Sequence, residues 1–358
     1  MKKILALILV FAMMLGLMGC MVGKKEPVAE EEPTTVPTTV PPTEPPKKAI
    51  HVLVPASLEA QNIELTNMVV NHFDEITVVN YSDVQMQQDM LSEIAAKSPK
   101  DGTHAVVTIP ASNEMADVFT ALTEANVAYA LADVIPETAS AASVANVHYD
   151  QRQIGAAAAA YLVEQGLTQK KKVVILQGMS EEEAERTEGF KLYLQGKMEL
   201  NGQTIKKAWT SFSNIVYSDM QGETKDSAEK YFDTYMESKD HADTKYFAAW
   251  DDAYVLGMME ALEGETITSS IKKTFLKGKP VVASCGNSQA MLDLLAGKSE
   301  YSNLKSFGGI QTIHYSQDLL KLAAVSMCDY FAGSVVEQDQ TMPIVWITAE
   351  NASQYQGY

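Results

Sequence analysis

The sequence predicts an α/β protein of two lobes, each a mostly parallel sheet with helices on both faces. Three observations carry that prediction. Short apolar runs alternate with helical periods from residue 49 onward, the pattern of parallel strands joined by covering helices. Residues 49–358 are more than one hydrophobic core usually supports, which implies two such units. Residues 21–48 have a composition that cannot bury a core and 1–19 read as an export signal, so the sheets must be built from residues 49–358.

The elements run in chain order. Met1, Lys2 and Lys3 precede the apolar run ILALILVFAMMLGLMG and then Cys20. A basic start and a short apolar stretch closing on small residues read as an export signal over 1–19, because a spanning helix needs about 20 apolar residues and different flanks. Leu17-Met18-Gly19-Cys20 resembles the lipobox of bacterial lipoproteins, although Met18 stands where that family usually has Ala or Ser. The resemblance implies that the Cys20 thiol receives a diacylglycerol and becomes the mature N-terminus. A secreted protein with a chance cysteine is the plainer alternative. Residues 20–48 then form a linker: positions 21–48 hold seven of the thirteen prolines, interleaved with Thr and Glu. Polyproline geometry gives this stalk a reach of roughly 80 Å at about 3.1 Å per residue.

Strands are expected at 49–55 (AIHVLVP), 75–81 (EITVVNY), 104–110 (HAVVTIP), 127–133 (VAYALAD), 144–150 (VANVHYD), 171–178 (KKVVILQG), 205–212 (IKKAWTSF), 245–251 (KYFAAWD), 280–286 (PVVASCG), 307–313 (FGGIQTI) and 343–348 (PIVWIT). Among the helices between them, QRQIGAAAAAYLVEQG closes on Gly166, and EEEAERTEGFKLYLQGKMEL opens on acids that suit a helix N-terminus. Ligands of such folds bind beyond the carboxyl ends of the strands, where Trp250, Asp251 and Asp252 sit.

Composition excludes several functions. A net charge of −18, with basic runs only at Lys170–Lys172 and Lys272–Lys273, excludes a nucleic-acid partner. Cys285 and Cys328 are the only thiols after Cys20, enough for one disulfide but not a framework, and two separate buried thiols are expected. The six histidines lack ligand spacing, so no metal site is expected, nor any other cofactor. No Gly-x-Ser-x-Gly elbow occurs, and AGKSE at 296–300 imitates the end of a phosphate loop without its leading glycine, so no enzyme is expected.

Five stretches resemble the type I periplasmic sugar-binding proteins, the ribose-binding family: ANVHYDQRQIGAAAAAYLVEQG, VVILQGMSEEEAERTEGFKLYL with Arg186, Gly189 and Phe190, YFAAWDDAYVLGMMEAL, VVASCGNSQAMLDLLAGK and MPIVWITAEN. Their order and spacing agree over residues 49–358. The resemblance implies two lobes joined by three hinge crossovers, the first made of 49–148 with about 287–340, the second of 149–286 with about 341–358. It implies a cleft that closes on a small sugar-like ligand, with Asp133, Arg186 and Asp251 as charged contacts, Tyr149 and Trp250 as aromatic faces, and Gln311 as a further contact. Sugar hydroxyls donate and accept, so converging carboxylates, a guanidinium and ring faces suit them. A monomer is implied, lipid-anchored at the outer face of the cell membrane, whose partners are the permease and ATPase of an ABC importer. A membrane-tethered ligand sensor and a repressor of the lactose-repressor kind share these lobes; the second lacks its helix-turn-helix here.

Other residues depart from the family pattern. Val134 stands where many sugar binders have Arg, Cys285-Gly286 where they have Asp-Gly, and PASLEAQNIEL lacks aromatic residues. A nucleoside, a modified sugar and a signalling molecule therefore stay open beside a hexose or pentose. The candidate contacts also have plainer readings: Asp251 or Asp252 as a helix cap, Arg186 as a solvated charge, Asp133 as a turn residue. Of the two neighbouring aspartates, Asp251 is expected to be the ligand acceptor and Asp252 the cap.

Overall fold

Apolar runs become parallel strands where helices cover both of their faces. The computed structural model describes residues 46–358, apart from 287, 317, 356 and 358. The export signal, Cys20 and nearly all of the 20–48 linker lie outside the described residues. Twelve strands form among those described: β1 (Ala49–Pro55), β2 (Glu75–Tyr81), β3 (His104–Thr108), β4 (Ala128–Ala132), β5 (Ala145–His148), β6 (Lys172–Leu176), β7 (Ile215–Tyr217), β8 (Thr244–Ala249), β9 (Val281–Gly286), β10 (Gly309–His314), β11 (Asp339–Thr341) and β12 (Trp346–Ile347).

They make two six-stranded sheets. The first runs β11-β5-β4-β3-β1-β2 and is parallel throughout; the second runs β12-β10-β9-β8-β6-β7, with only β12 antiparallel. Each order reverses direction once, between β1 and β3 in the first sheet and between β6 and β8 in the second. Loops leave such a switch point toward opposite faces, and the crevice between them is where open α/β sheets bind ligands.

The chain passes between the lobes three times: after β5 into the helix Gln151–Glu164, after β10 into the helix Leu319–Phe331, and from β11 to β12. The Leu319–Phe331 helix packs on β3, β4 and β5. This corrects the expected partition. Residues 287–314, expected in the first lobe, belong with the second, because β10 pairs with β9 in register from Gly309 with Val281 to His314 with Gly286. Only the helix from 319 and β11 return to the first sheet.

Two strand expectations also fail locally. The run 205–212 is irregular, since its apolar Ile205, Ala208, Trp209 and Phe212 follow no period of two; the strand beside β6 is the shorter Ile215–Tyr217. β11 is an addition to the expected set, because Asp339, Gln340 and Thr341 are polar and occupy a half-covered edge. Within the helices, Met258, Met259 and Met291 are buried in the core of the second lobe, and Cys285 and Cys328 are, as expected, separate buried thiols.

Candidate ligand-binding site

Two glycines bring the Gln151–Glu164 helix against the helix Glu181–Leu194. A Cβ on Gly155 would lie 1.8 Å from the Arg186 carbonyl oxygen, and one on Gly189 would lie 2.0 Å from that of Arg152, so only glycine permits this backbone-to-backbone approach. The packing sets Arg186 beside Gln151 at the second switch point. Arg186 Nε donates to Gln151 Oε1 (2.8 Å), and Nη1 donates to the Trp250 carbonyl and reaches Cys285 Sγ at 3.2 Å. Its guanidinium lies 5.7 Å from the centre of the Tyr315 ring. The Cys285 thiol donates to the same Trp250 carbonyl (3.1 Å), and burial pushes its pKa up to about 12, so it stays protonated beside the cation.

Tyr315, directly after β10, carries the network into the first lobe. Its hydroxyl donates to Asp133 Oδ1 (2.7 Å) and accepts from Gln151 Nε2 (3.0 Å). Its ring stacks on Tyr149, centroids 4.3 Å apart, and the Tyr149 hydroxyl accepts from the Ser316 amide (2.9 Å). Asp133 has φ of 62°, a left-handed conformation that Asp tolerates better than most residues, and its amide donates to the Val147 carbonyl (2.8 Å). Burial raises the Asp133 carboxyl above its ordinary value; the Tyr315 hydroxyl opposes that shift, while Glu182, from the other lobe, adds to it. A cavity of about 250 Å³ opens here at the first switch point, lined by Pro55 at the end of β1, Ser57 and Leu58 beyond it, Ile109 beyond β3, and Asp133, Tyr315, Ser316 and Leu319. At the rim, Asn113 Nδ2 of the first lobe approaches Glu181 Oε2 of the second at 3.4 Å.

The two neighbouring aspartates take the opposite capping roles to those expected. Asp251, extended at φ −147° and ψ 148°, caps the helix Asp252–Glu263 by accepting from the Ala253 amide (2.7 Å), and it is exposed at the end of β8. Asp252 is 1 % exposed and does not cap. Its Oδ1 accepts from Ser284 Oγ (2.9 Å) on β9 and Thr312 Oγ1 (2.6 Å) on β10, while Oδ2 has no partner among the described residues. That oxygen lies so near Gly286, at φ 151°, that a Cβ there would be 2.5 Å from it. Burial raises the Asp252 carboxyl to about 7. The helical phase decides the matter: the first residue inside the helix turns toward the sheet, and the residue before it is left at the rim.

The aromatic expectations change too. Trp250 is 1 % exposed, its indole donates to Thr187 Oγ1 (2.7 Å) and it meets Phe190 edge-on, so its carbonyl rather than its ring serves the site. Tyr149 is 4 % exposed and is covered by Tyr315. Gln311 lies within β10 opposite Ala283, three residues short of the strand's carboxyl end, and is not brought to the others. The structure thus gathers Asp133, Tyr149, Arg186 and the Trp250 backbone, with Asp251 at the rim. Sequence reasoning missed Gln151 and Tyr315, although Tyr315 stands directly beyond a strand's carboxyl end.

Residues 67–324 match the family described as "Periplasmic binding protein domain". No curated protein matches the chain by sequence. Among solved structures, a periplasmic ribose ABC transporter protein from Conexibacter woesei is similar at 16% identity and a TM-score of 0.62, over 86% of this chain and 94% of that one. A Bacillus halodurans ABC transporter solute-binding protein with bound myo-inositol is similar at 17% identity and 0.60, over 86% and 96%. A putative LacI transcriptional regulator from Bacteroides fragilis is similar at 15% and 0.58, over 87% and 100%. At these identities the likeness establishes the two-lobed fold.

Proposed function

The chain belongs to the periplasmic binding protein family, and from that premise we propose that it is a lipid-anchored, extracytoplasmic solute-binding protein. It captures a small sugar-like molecule between its lobes and delivers it to the permease and ATPase of an ABC importer; it catalyses no reaction. One observation carries this reading. The hydrogen-bonded series Asp133, Tyr315, Gln151, Arg186 runs from one switch point to the other beside a cavity of about 250 Å³. Carboxylate and amide groups held this way select hydroxyls by geometry, because an unmatched polar group in a closed cleft is costly. The Leu17-Met18-Gly19-Cys20 motif supports the anchor, and the similar proteins, one described with bound myo-inositol and one as a ribose ABC transporter, support a sugar-like ligand.

The test is a thermal-shift panel of pentoses, hexoses, inositols and nucleosides, extended by small-angle scattering with any hit. A ligand should raise the melting temperature by mass action and reduce the radius of gyration as the lobes close. Tight binding without compaction would refute the hinge mechanism. Cys20→Ala should move the protein out of the membrane fraction, and an unchanged distribution would refute the anchor.

A further inference from the structure

The loops that leave the carboxyl ends of the strands toward the cleft contain no lysine or arginine. This holds for 56–61, 82–83, 109–115, 133–136, 149–150, 177–180, 218–224, 250–251 and 315–318. Their acids include Asp133 on the first lobe and Asp219, Glu223 and Asp251 on the second, and the helix after β6 opens with Glu181, Glu182 and Glu183. The nearby cations are already engaged. Arg152 pairs with Glu188 (2.8 Å) and Lys225 with Glu260 (2.8 Å), while Arg186 bonds through Nε and Nη1 to the neutral Gln151, Trp250 carbonyl and Cys285, so its single charge offsets part, but not all, of that carried by Asp133, Glu183 and Asp251. The helix N-termini that face the cleft are capped by Asp150, Ser180 and Asp251, each cap taking up one of the amides that would otherwise favour an anion.

Closure therefore brings carboxylates of one sign together from opposite lobes. Asp133 lines the cavity, the charge of Glu182 on the other lobe acts on it, and the lobes already meet at Asn113 and Glu181. A neutral polyol can donate hydroxyls to these oxygens but leaves their charges facing each other. An ammonium group donates up to three hydrogen bonds and cancels the repulsion. We infer that the cleft selects a positively charged, hydroxyl-rich ligand, an amine-bearing sugar or cyclitol, over its neutral parent. This rests on the proposed function, since it concerns the same cleft.

Calorimetry with matched probes tests it on the full chain: glucosamine against glucose, galactosamine against galactose, and scyllo-inosamine against scyllo-inositol. At least one amine should bind about tenfold or more tighter than its neutral parent at neutral pH. N-acetylglucosamine and N-acetylgalactosamine should lose the advantage, and added salt should shrink it. Asp133→Asn and Glu182→Gln should each reduce the ratio of amine to parent affinity. Neutral parents that bind as tightly as the amines would overturn the inference and leave the sugar-binding reading standing. An amine preference unchanged in both variants would overturn the assignment to these carboxylates. Failure of every probe to bind would bring down the sugar-like reading and the inference with it.

Discussion

The two switch points are built on the same topology and finished differently. Between β1 and β3 the loops leave a cavity, walled by Pro55, Leu58, Ile109 and Leu319, with Asp133 and Tyr315 as its polar groups. Between β6 and β8 the corresponding space is filled by Arg186, Gln151, the Trp250 carbonyl and Cys285, each bonded to another member of the set. The difference teaches a division of labour. On the proposed function, the first lobe holds the ligand space and the second a preorganised polar wall, to which it adds Asp251 at the rim. Perturbing the second should therefore cost stability as well as affinity, and perturbing the first should cost mainly affinity.

The largest expected effect lies behind the wall, at Asp252. Its carboxyl is raised from 3.8 to about 7, so the folded chain holds a proton that the unfolded chain releases. The associated stabilisation is fully present below the unfolded value and is lost as pH rises through about 7, with an integrated size on the order of 4 kcal/mol. Asp133, Asp251 and Glu183 are raised as well and slope the same way, so the wild-type curve alone is not diagnostic. The Asp252→Asn variant isolates the one group. Its Oδ1 can still accept from Ser284 and Thr312, and it carries no charge at any pH. Urea denaturation between pH 4 and pH 8 should show the variant losing less stability than the wild type as pH rises. Parallel curves would mean that Asp252 is ionised throughout and that the unpartnered Oδ2 has another explanation.

Next comes a direct contrast of the lobes. Arg186→Ala removes the donor shared by Gln151 and the Trp250 carbonyl and should cost about 2 to 3 kcal/mol of stability. Asp133→Asn keeps a residue suited to φ of 62° and an acceptor for the Tyr315 hydroxyl but removes the charge; it should change the melting temperature little while weakening any ligand by about fivefold or more. Equal destabilisation by the two would erase the distinction between wall and ligand space.

Much of this architecture is legible in the sequence, and the reasons for the misses are physical. The two sheets follow from alternating apolar runs, because strands covered on both faces must be apolar. The polar edge strand β11 and the three-residue β7 carry no such signal. Asp133 and Arg186 can be placed from strand ends and from a motif, but Gln151 and Tyr315 become functional only when two crossovers meet, and sequence distance hides that: their side chains touch across 164 positions. The aspartate roles depend on a single residue of helical phase, below the precision with which a helix start can be read. A strand-end position predicts Trp250 in the cleft, yet a large ring at such a place can equally turn inward onto Thr187 and Phe190.

Asp251 gives the smallest and most discriminating effect. Its Oδ1 caps the adjoining helix through the Ala253 amide, and its position beyond β8 leaves the residue exposed, so that the cap does not rule out a ligand contact. A cap of this kind is worth about 1 kcal/mol, and a ligand contact adds a loss of affinity that a cap alone does not. Asp251→Ser separates them, because serine can cap but supplies neither the charge nor the second oxygen. Asp251→Ala should lose about 1 kcal/mol of stability and also bind more weakly, whereas Asp251→Ser should recover most of the stability and none of the affinity. Calorimetric affinity beside urea denaturation for both variants decides the point. If serine restores binding along with stability, Asp251 acts only on the fold, and the carboxylate contact of the cleft falls to Asp133 on the first lobe, leaving the second lobe as a wall alone.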